Sequence, residues 1–150
     1  MSSWAPQNRE IRCMSISQTA MTFSDACETG KGWNGCSEWC HGDATFPCQA
    51  DALAEVTTLA EYADWMQGLL GPIPDGHYEL TAFAGDEERN SVVAAAIFHG
   101  THSGEGGPMP ATGNTVAADY VYVMNFDAGK IRHMTKIWND GHSLRQLGWA

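Results

Sequence analysis

A row of side chains able to hold or move a proton lies near the C-terminal end of the chain. The stretch from Thr115 to Trp149 reads TVAADYVYVMNFDAGKIRHMTKIWNDGHSLRQLGW. Within it Tyr120, Tyr122, Met124 and Phe126 recur at every second position, and so do Ile131, His133, Thr135, Ile137 and Asn139. Residues two apart on a strand share a face, so each set forms one row. His133 would be the proton shuttle, because an unperturbed imidazole titrates at ~6.5. Its bland reading is a satisfied core histidine among Ile131 and Ile137. The phenols of Tyr120 and Tyr122 and the amide of Asn139 would hold a carbonyl or enolate oxygen. Asp140 follows at the strand end. A carboxylate in a partly dry pocket has its pKa lifted toward working pH and serves as a general base, and a bulge there would turn it inward. Asp140 also fits a helix cap ahead of Ser143–Leu147, and that is the reading favoured.

Other groups carry less. His99 and His102 lie three apart on one strand segment, so they point to opposite faces and do not share a metal. Cys36 and Cys40, four apart with His41 and Cys48 nearby, offer soft zinc ligands. Their spacing is not a knuckle, and free thiols on a helix stripe are usually small buried hydrophobes. No metal and no cofactor is expected. The glycine-rich loop Ser103–Gly113 has neither a lysine nor phosphate-loop spacing, so no nucleotide site is read there. Trp33, Trp39, Trp65, Trp138 and Tyr62 add aromatic surface suited to an apolar ligand. Trp33 joins Tyr120, Tyr122, Thr135 and Asn139 as a ligand-binding candidate.

The elements that must position these groups follow from periodicity. Helices are expected over Ser15–Glu28, with Ile16, Thr19, Ala20, Phe23 and Cys27 on one stripe, over Trp33–His41, and over Thr58–Leu70, where Thr58 and Glu61 form a capping box. Thr45–Gln49 reads as a short strand. From Tyr78 the period becomes two: Tyr78–Asp86, Ser91–His102, Val116–Phe126 and Lys130–Trp138 read as strands, the last two joined at Asp127-Ala128-Gly129 as a hairpin. Helices followed by a run of strands argue an α+β fold with an antiparallel sheet.

Composition limits the partners. The 150 residues, 43% apolar and 17% charged, fit one globular domain, with 1–14 as a loose arm. A net charge of −10 opposes binding to nucleic acid or to an anionic membrane. The five cysteines are odd in number, and the polar N-terminus carries no signal-like apolar run, so the thiols read as reduced and the protein as cytoplasmic.

Several segments resemble one family. Gly129-Lys130-Ile131, the long strand after it and Arg145-Gln146-Leu147-Gly148 look like a SnoaL-like polyketide cyclase, a relative of ketosteroid isomerase and scytalone dehydratase in the nuclear-transport-factor-two-like superfamily. Gly100-Thr101-His102-Ser103-Gly104 with Pro110-Ala111-Thr112-Gly113 resembles that family's GTHTG…PPTGK segment, and Asp43-Ala44-Thr45-Phe46 its D-A-x-F pattern. The resemblance runs from Trp33 to Trp149. It implies a cystatin-like α+β barrel, in which a cone-shaped, strongly bent antiparallel sheet wraps around N-terminal helices and encloses a pocket. It implies a small apolar or carbonyl-containing ligand, cofactor-free proton abstraction next to a carbonyl, and a homodimer built on the convex sheet face, where Arg132, Met134, Lys136 and Trp138 are expected. The family's general base is an Asp near the end of the last long strand. Ungapped alignment puts Asn139 there, and an amide is not a base. That departure supports the alternative of a non-catalytic ligand-binding or protein-interaction member.

Overall fold

The structure, a computed structural model, describes residues 14–150. The arm expected at the N-terminus lies outside the described residues, apart from Met14. Helix α1 (Ile16–Glu28) begins at a capping box in which Ser15 and Gln18 satisfy each other's backbone N–H groups. It turns Thr19, Ala20, Phe23, Ser24, Cys27 and Glu28 inward. Helix α2 (Gly32–Cys36) runs into a 3-10 turn at Ser37–Trp39 and then strand β1 (Cys40–Thr45). Helix α3 (Leu59–Leu69) has the capping box expected from Thr58 and Glu61 and buries Leu59, Tyr62, Ala63 and Met66. Four strands follow, β2 (His77–Asp86), β3 (Ser91–Thr101), β4 (Thr115–Asp127) and β5 (Lys130–Trp138), and helix α4 (Asp140–Leu147) comes last. Among the described residues no helix is long and apolar enough to cross a membrane.

The strands form one curved five-stranded sheet in the order β1-β5-β4-β3-β2. The four strands from His77 to Trp138 pair antiparallel, and β1 adds to the free edge of β5 in parallel. Two local expectations are corrected here. The segment from Trp33 to His41 is not one helix, and the short strand lies at Cys40–Thr45 instead of Thr45–Gln49. The open edge of β5 decides both: Cys40 pairs with Ile131 and Thr45 with His133. That tertiary partner is invisible to local periodicity, and Pro47 lacks the N–H that a ladder there would need.

The β4–β5 hairpin closes through Ala128 and Gly129, both at positive φ (52° and 81°), the backbone of a two-residue primed turn. Its register holds one irregularity. Asn125 pairs with His133, but Phe126 pairs with Ile131, leaving Arg132 as an extra residue on β5. A bulge of one residue reverses which side chains face inward beyond it. Ile131 therefore faces the core at one end of β5, and Met134, Lys136 and Trp138 do so after the bulge, opposite Met124, Tyr122 and Tyr120. The core lies between this concave face and helices α1 and α3, where the Phe46 ring stacks on Tyr62 at 4.3 Å.

Candidate functional site

A cavity of about 270 Å³ opens on the concave side of the sheet. Met66, Ile73, Phe98, Val116, Leu147 and Trp149 give it apolar walls, and Glu28, Tyr120, Lys136 and Ser143 are its polar members. An apolar hollow with a few convergent polar groups is the usual form of a small-molecule site.

Each polar group arrives there for a local reason. Glu28 is the last residue of α1 and continues the buried stripe of that helix, so its carboxylate is carried under the sheet. Lys136 sits on the inward row that the Arg132 bulge creates, directly across from Tyr122. Tyr62 projects from α3 and meets Tyr122 edge-on, with ring centroids 6.0 Å apart.

These groups form a continuous hydrogen-bonded chain. The Lys136 Nζ donates to the Tyr62 hydroxyl at 3.0 Å. The Tyr62 and Tyr122 hydroxyls lie 2.5 Å apart. Tyr122 in turn donates to Glu28 Oε1. Because the Tyr122 proton is committed to the carboxylate, Tyr62 is the donor to Tyr122. The other carboxylate oxygen, Glu28 Oε2, is buried without a partner. Lys136 is also boxed by aromatic rings. Its Nζ lies 4.3 Å from the Trp138 ring centre, 5.0 Å from Tyr62, 5.4 Å from Tyr120 and 5.5 Å from Trp65. Such rings attract a cation by roughly 0.5–2 kcal/mol each when desolvated.

Burial dominates the electrostatics. It raises the Glu28 carboxyl above its ordinary range, against the opposing pull of the Lys136 charge and of the hydrogen bond from Tyr122. It lowers the Lys136 ammonium, against the attraction of Glu28. The Tyr62, Tyr120 and Tyr122 phenols are pushed up, first by burial and next by the nearby carboxylate, so they act as neutral donors. The site therefore holds one carboxyl and one amine, both biased toward their neutral forms, in a water-poor space.

The residues singled out from sequence are split. Tyr120 lines the cavity, and Tyr122 is buried just behind it in the chain to Glu28. His133, Thr135, Ile137 and Asn139 do not share the face of Tyr120 and Tyr122, because the bulge at Arg132 turns their row outward. His133 Nδ1 instead meets Thr45 Oγ1 at 2.6 Å, and its Nε2 meets Thr135 Oγ1 at 3.3 Å. Asn139, not Asp140, caps α4, its Oδ1 accepting from the His142 N–H. Its exposed side chain borders a second, more polar recess with Asp119 and His142. The Asp140 carboxylate accepts from the Ala52 backbone N–H at 2.8 Å. Trp33 does not line the cavity, and its backbone N–H donates to Asp64. Sequence reading passed over Glu28, counted Tyr62 only as aromatic surface and placed Lys136 on the convex face instead of in the cavity. A signal existed for Glu28, since a carboxylate on a buried stripe at a helix C-terminus opposes both desolvation and the helix dipole.

Residues 18–147 match the SnoaL-like polyketide cyclase family. The chain belongs to that family. Solved structures agree on the fold. TsrD from Streptomyces laurentii is 15% identical, with 92% of this chain and 98% of that one covered and a TM-score of 0.72. IdmH from Streptomyces antibioticus is 20% identical, covering 89% and 98%, with a TM-score of 0.69. A hypothetical protein with a ketosteroid isomerase-like fold from Catenulispora acidiphila DSM 44928, in complex with trimethylamine, is 17% identical, covering 87% and 92%, with a TM-score of 0.63. Identities this low carry the fold and nothing finer. No curated protein matches the sequence. In this SnoaL-like chain the cavity's carboxylate comes from α1, while Asn139 caps a helix at the position where the family resemblance places the base.

Two outcomes follow from the buried pair. Lys136→Met leaves Glu28 buried and uncompensated and should cost about 3–5 kcal/mol in urea unfolding, whereas Glu28→Gln with Lys136→Met should recover most of that loss. A double variant no more stable than Lys136→Met would show that the two charges do not support each other. The pH dependence has a definite sign. The folded pKa of Glu28 is raised above its ordinary 4.5, so the stability it contributes is complete below that value and is lost as pH rises through the folded pKa. Glu28→Gln should therefore gain on the wild type as pH is raised above 4.5. A stability difference independent of pH would contradict the raised pKa.

Proposed function

We propose that this protein binds a small apolar carbonyl compound in the concave cavity and catalyses proton transfer next to the carbonyl, as a cyclase, isomerase or dehydratase does, without a cofactor. The observation that carries this reading is Glu28, a residue lining the cavity beside Lys136 and Tyr120, whose buried Oε2 has no hydrogen-bond partner. A carboxylate with a free lone pair in a dry site is a general base whose raised pKa brings it toward neutral pH. The ammonium of Lys136 and the hydroxyl of Tyr120 supply positive charge and a donor where an enolate oxygen would develop. Tyr122 orients the carboxylate through its other oxygen. His133 and Asp140 are given no part in the proton transfer on this reading.

The placement of Asn139 as a cap favours a second reading, in which the same cavity binds its ligand without turnover. One probe separates the two. With 2-tetralone in heavy water, NMR should show deuterium entering the carbon next to the carbonyl. The rate should follow a bell-shaped pH profile, and Glu28→Gln should slow it by about 10²–10⁴-fold. Saturable binding with no exchange above the buffer rate would favour the carrier reading.

We also propose a homodimer through the outer sheet face. The bulge changes which residues this face offers: Met134, Lys136 and Trp138 turn inward, and Val93, Val121, Val123 and Ile137 turn out. Val93 and Ile137 are 38% and 60% exposed, large aliphatic side chains left open on this face. Light scattering at micromolar concentration should give twice the 16.3 kDa chain mass. The mass of a single chain would rule the dimer out.

A further inference from the structure

The hydrogen-bonded chain ends in an amine that faces the ligand. We propose that Lys136 is a nucleophile that captures the carbonyl carbon of the bound ligand as an iminium, with Tyr62, Tyr122 and Glu28 serving as its proton store. This rests on the carbonyl-binding reading above and specifies how that ligand is held.

The geometry supplies what such a step needs. Only a neutral amine attacks a carbonyl, so the lysine must first lose a proton inside a closed site. All three links of the chain point the same way: Lys136 Nζ donates to Tyr62, Tyr62 to Tyr122, and Tyr122 to Glu28 Oε1. Moving one proton along each link carries the ammonium proton to the carboxylate and leaves both tyrosines neutral. The result is a neutral amine and a carboxylic acid, the forms that burial favours at both ends. Both ends line the same cavity. The other lysines, Lys31 and Lys130, are exposed and do not line the cavity.

The step balances. The Lys136 amine adds to the carbonyl carbon, forming the C–N bond while the C=O pair moves to oxygen and takes up a proton from the new ammonium. The resulting neutral carbinolamine loses its hydroxyl as water, using the proton stored on Glu28, while the nitrogen lone pair forms the C=N bond and nitrogen takes the positive charge as an iminium. Ammonium, carboxylate and ketone have become iminium, carboxylate and water. The carboxylate is thereby regenerated beside a carbon whose neighbouring C–H bond the iminium has made acidic. The aromatic box stabilises the ammonium before reaction, and because the iminium holds the same charge at the same nitrogen, that attraction persists in the product.

Reductive trapping tests this. The full chain is incubated with 2-tetralone and sodium cyanoborohydride, and the product is read by intact mass and peptide mapping. One adduct per chain is expected, on Lys136. The Glu28→Gln, Lys136→Met double variant, which avoids leaving a lone buried charge, should lose it. Tyr62→Phe keeps both charges but breaks the relay, so it should slow labelling at least about tenfold while 2-tetralone still displaces an apolar dye from the cavity. Saturable dye displacement with no adduct on Lys136 overturns the iminium and leaves the carbonyl-binding reading standing. Labelling confined to Lys31, Lys130 or the terminal amine overturns it equally. If 2-tetralone fails to displace the dye at all, the carbonyl-binding reading falls and the iminium with it.

Discussion

Glu28 and Lys136 are each almost wholly removed from water, and two tyrosine hydroxyls join them. Removing either ion from water costs several kcal/mol after relaxation, more than an isolated attraction returns. Such a pair persists only where hydrogen bonds and neighbouring dipoles fill the gap. Here the filling comes from four elements at once: α1 supplies the acid, α3 supplies Tyr62, β4 supplies Tyr122, and β5 supplies the amine. The chain can exist only when helices and sheet are docked in a single arrangement. The aromatic rings around Lys136 serve the same end, giving the cation a partner that is itself apolar on its other side.

That arrangement depends on one added residue. Without the bulge at Arg132, strict alternation from Ile131 would carry His133 and Thr135 inward and leave Lys136 in solvent. With it, Arg132 reaches Asp43 on β1 at 3.0 Å and the His41 ring at 3.2 Å, so contacts to the neighbouring parallel strand hold the irregularity in place. The pocket's chemistry and the edge pairing of the sheet are thus linked through the same few residues. A change at Arg132 would act on the cavity although its side chain points away from it.

The legible and illegible parts of this chain divide along that line. The capped helices α1 and α3, the four long strands and the hairpin were readable, because caps, turn residues and period act over a few positions. Strand β1 was not, since it exists only by pairing with β5. The face of Tyr120 and Tyr122 was readable because β4 pairs without a slip along β3. The face of β5 was misread because a bulge leaves no mark in the alternation around it. His133 drew notice through its familiar chemistry, and Lys136 was assigned to the convex, dimer-forming face. Its flanking residues held the contrary sign. Met134 and Trp138 on the same row are large and apolar, and a lysine between them is more economically placed inside an aromatic wall than on an exposed one.

The position of the acid also bears on how this SnoaL-like chain differs from the pattern its sequence resembles. A carboxylate at the end of the last strand would stand at the rim, where Asn139 is exposed. Glu28 stands on the helix beneath the sheet, with its free oxygen sealed from solvent. A base at the rim can exchange its proton with bulk water directly. On the proposed reading, a base at this depth exchanges its proton through the ligand or along the tyrosine chain, whose far end is Lys136. On that reading the inward carboxylate works with a second titratable group placed inward as well, and the lysine on the row created by the bulge is joined to it through Tyr62 and Tyr122.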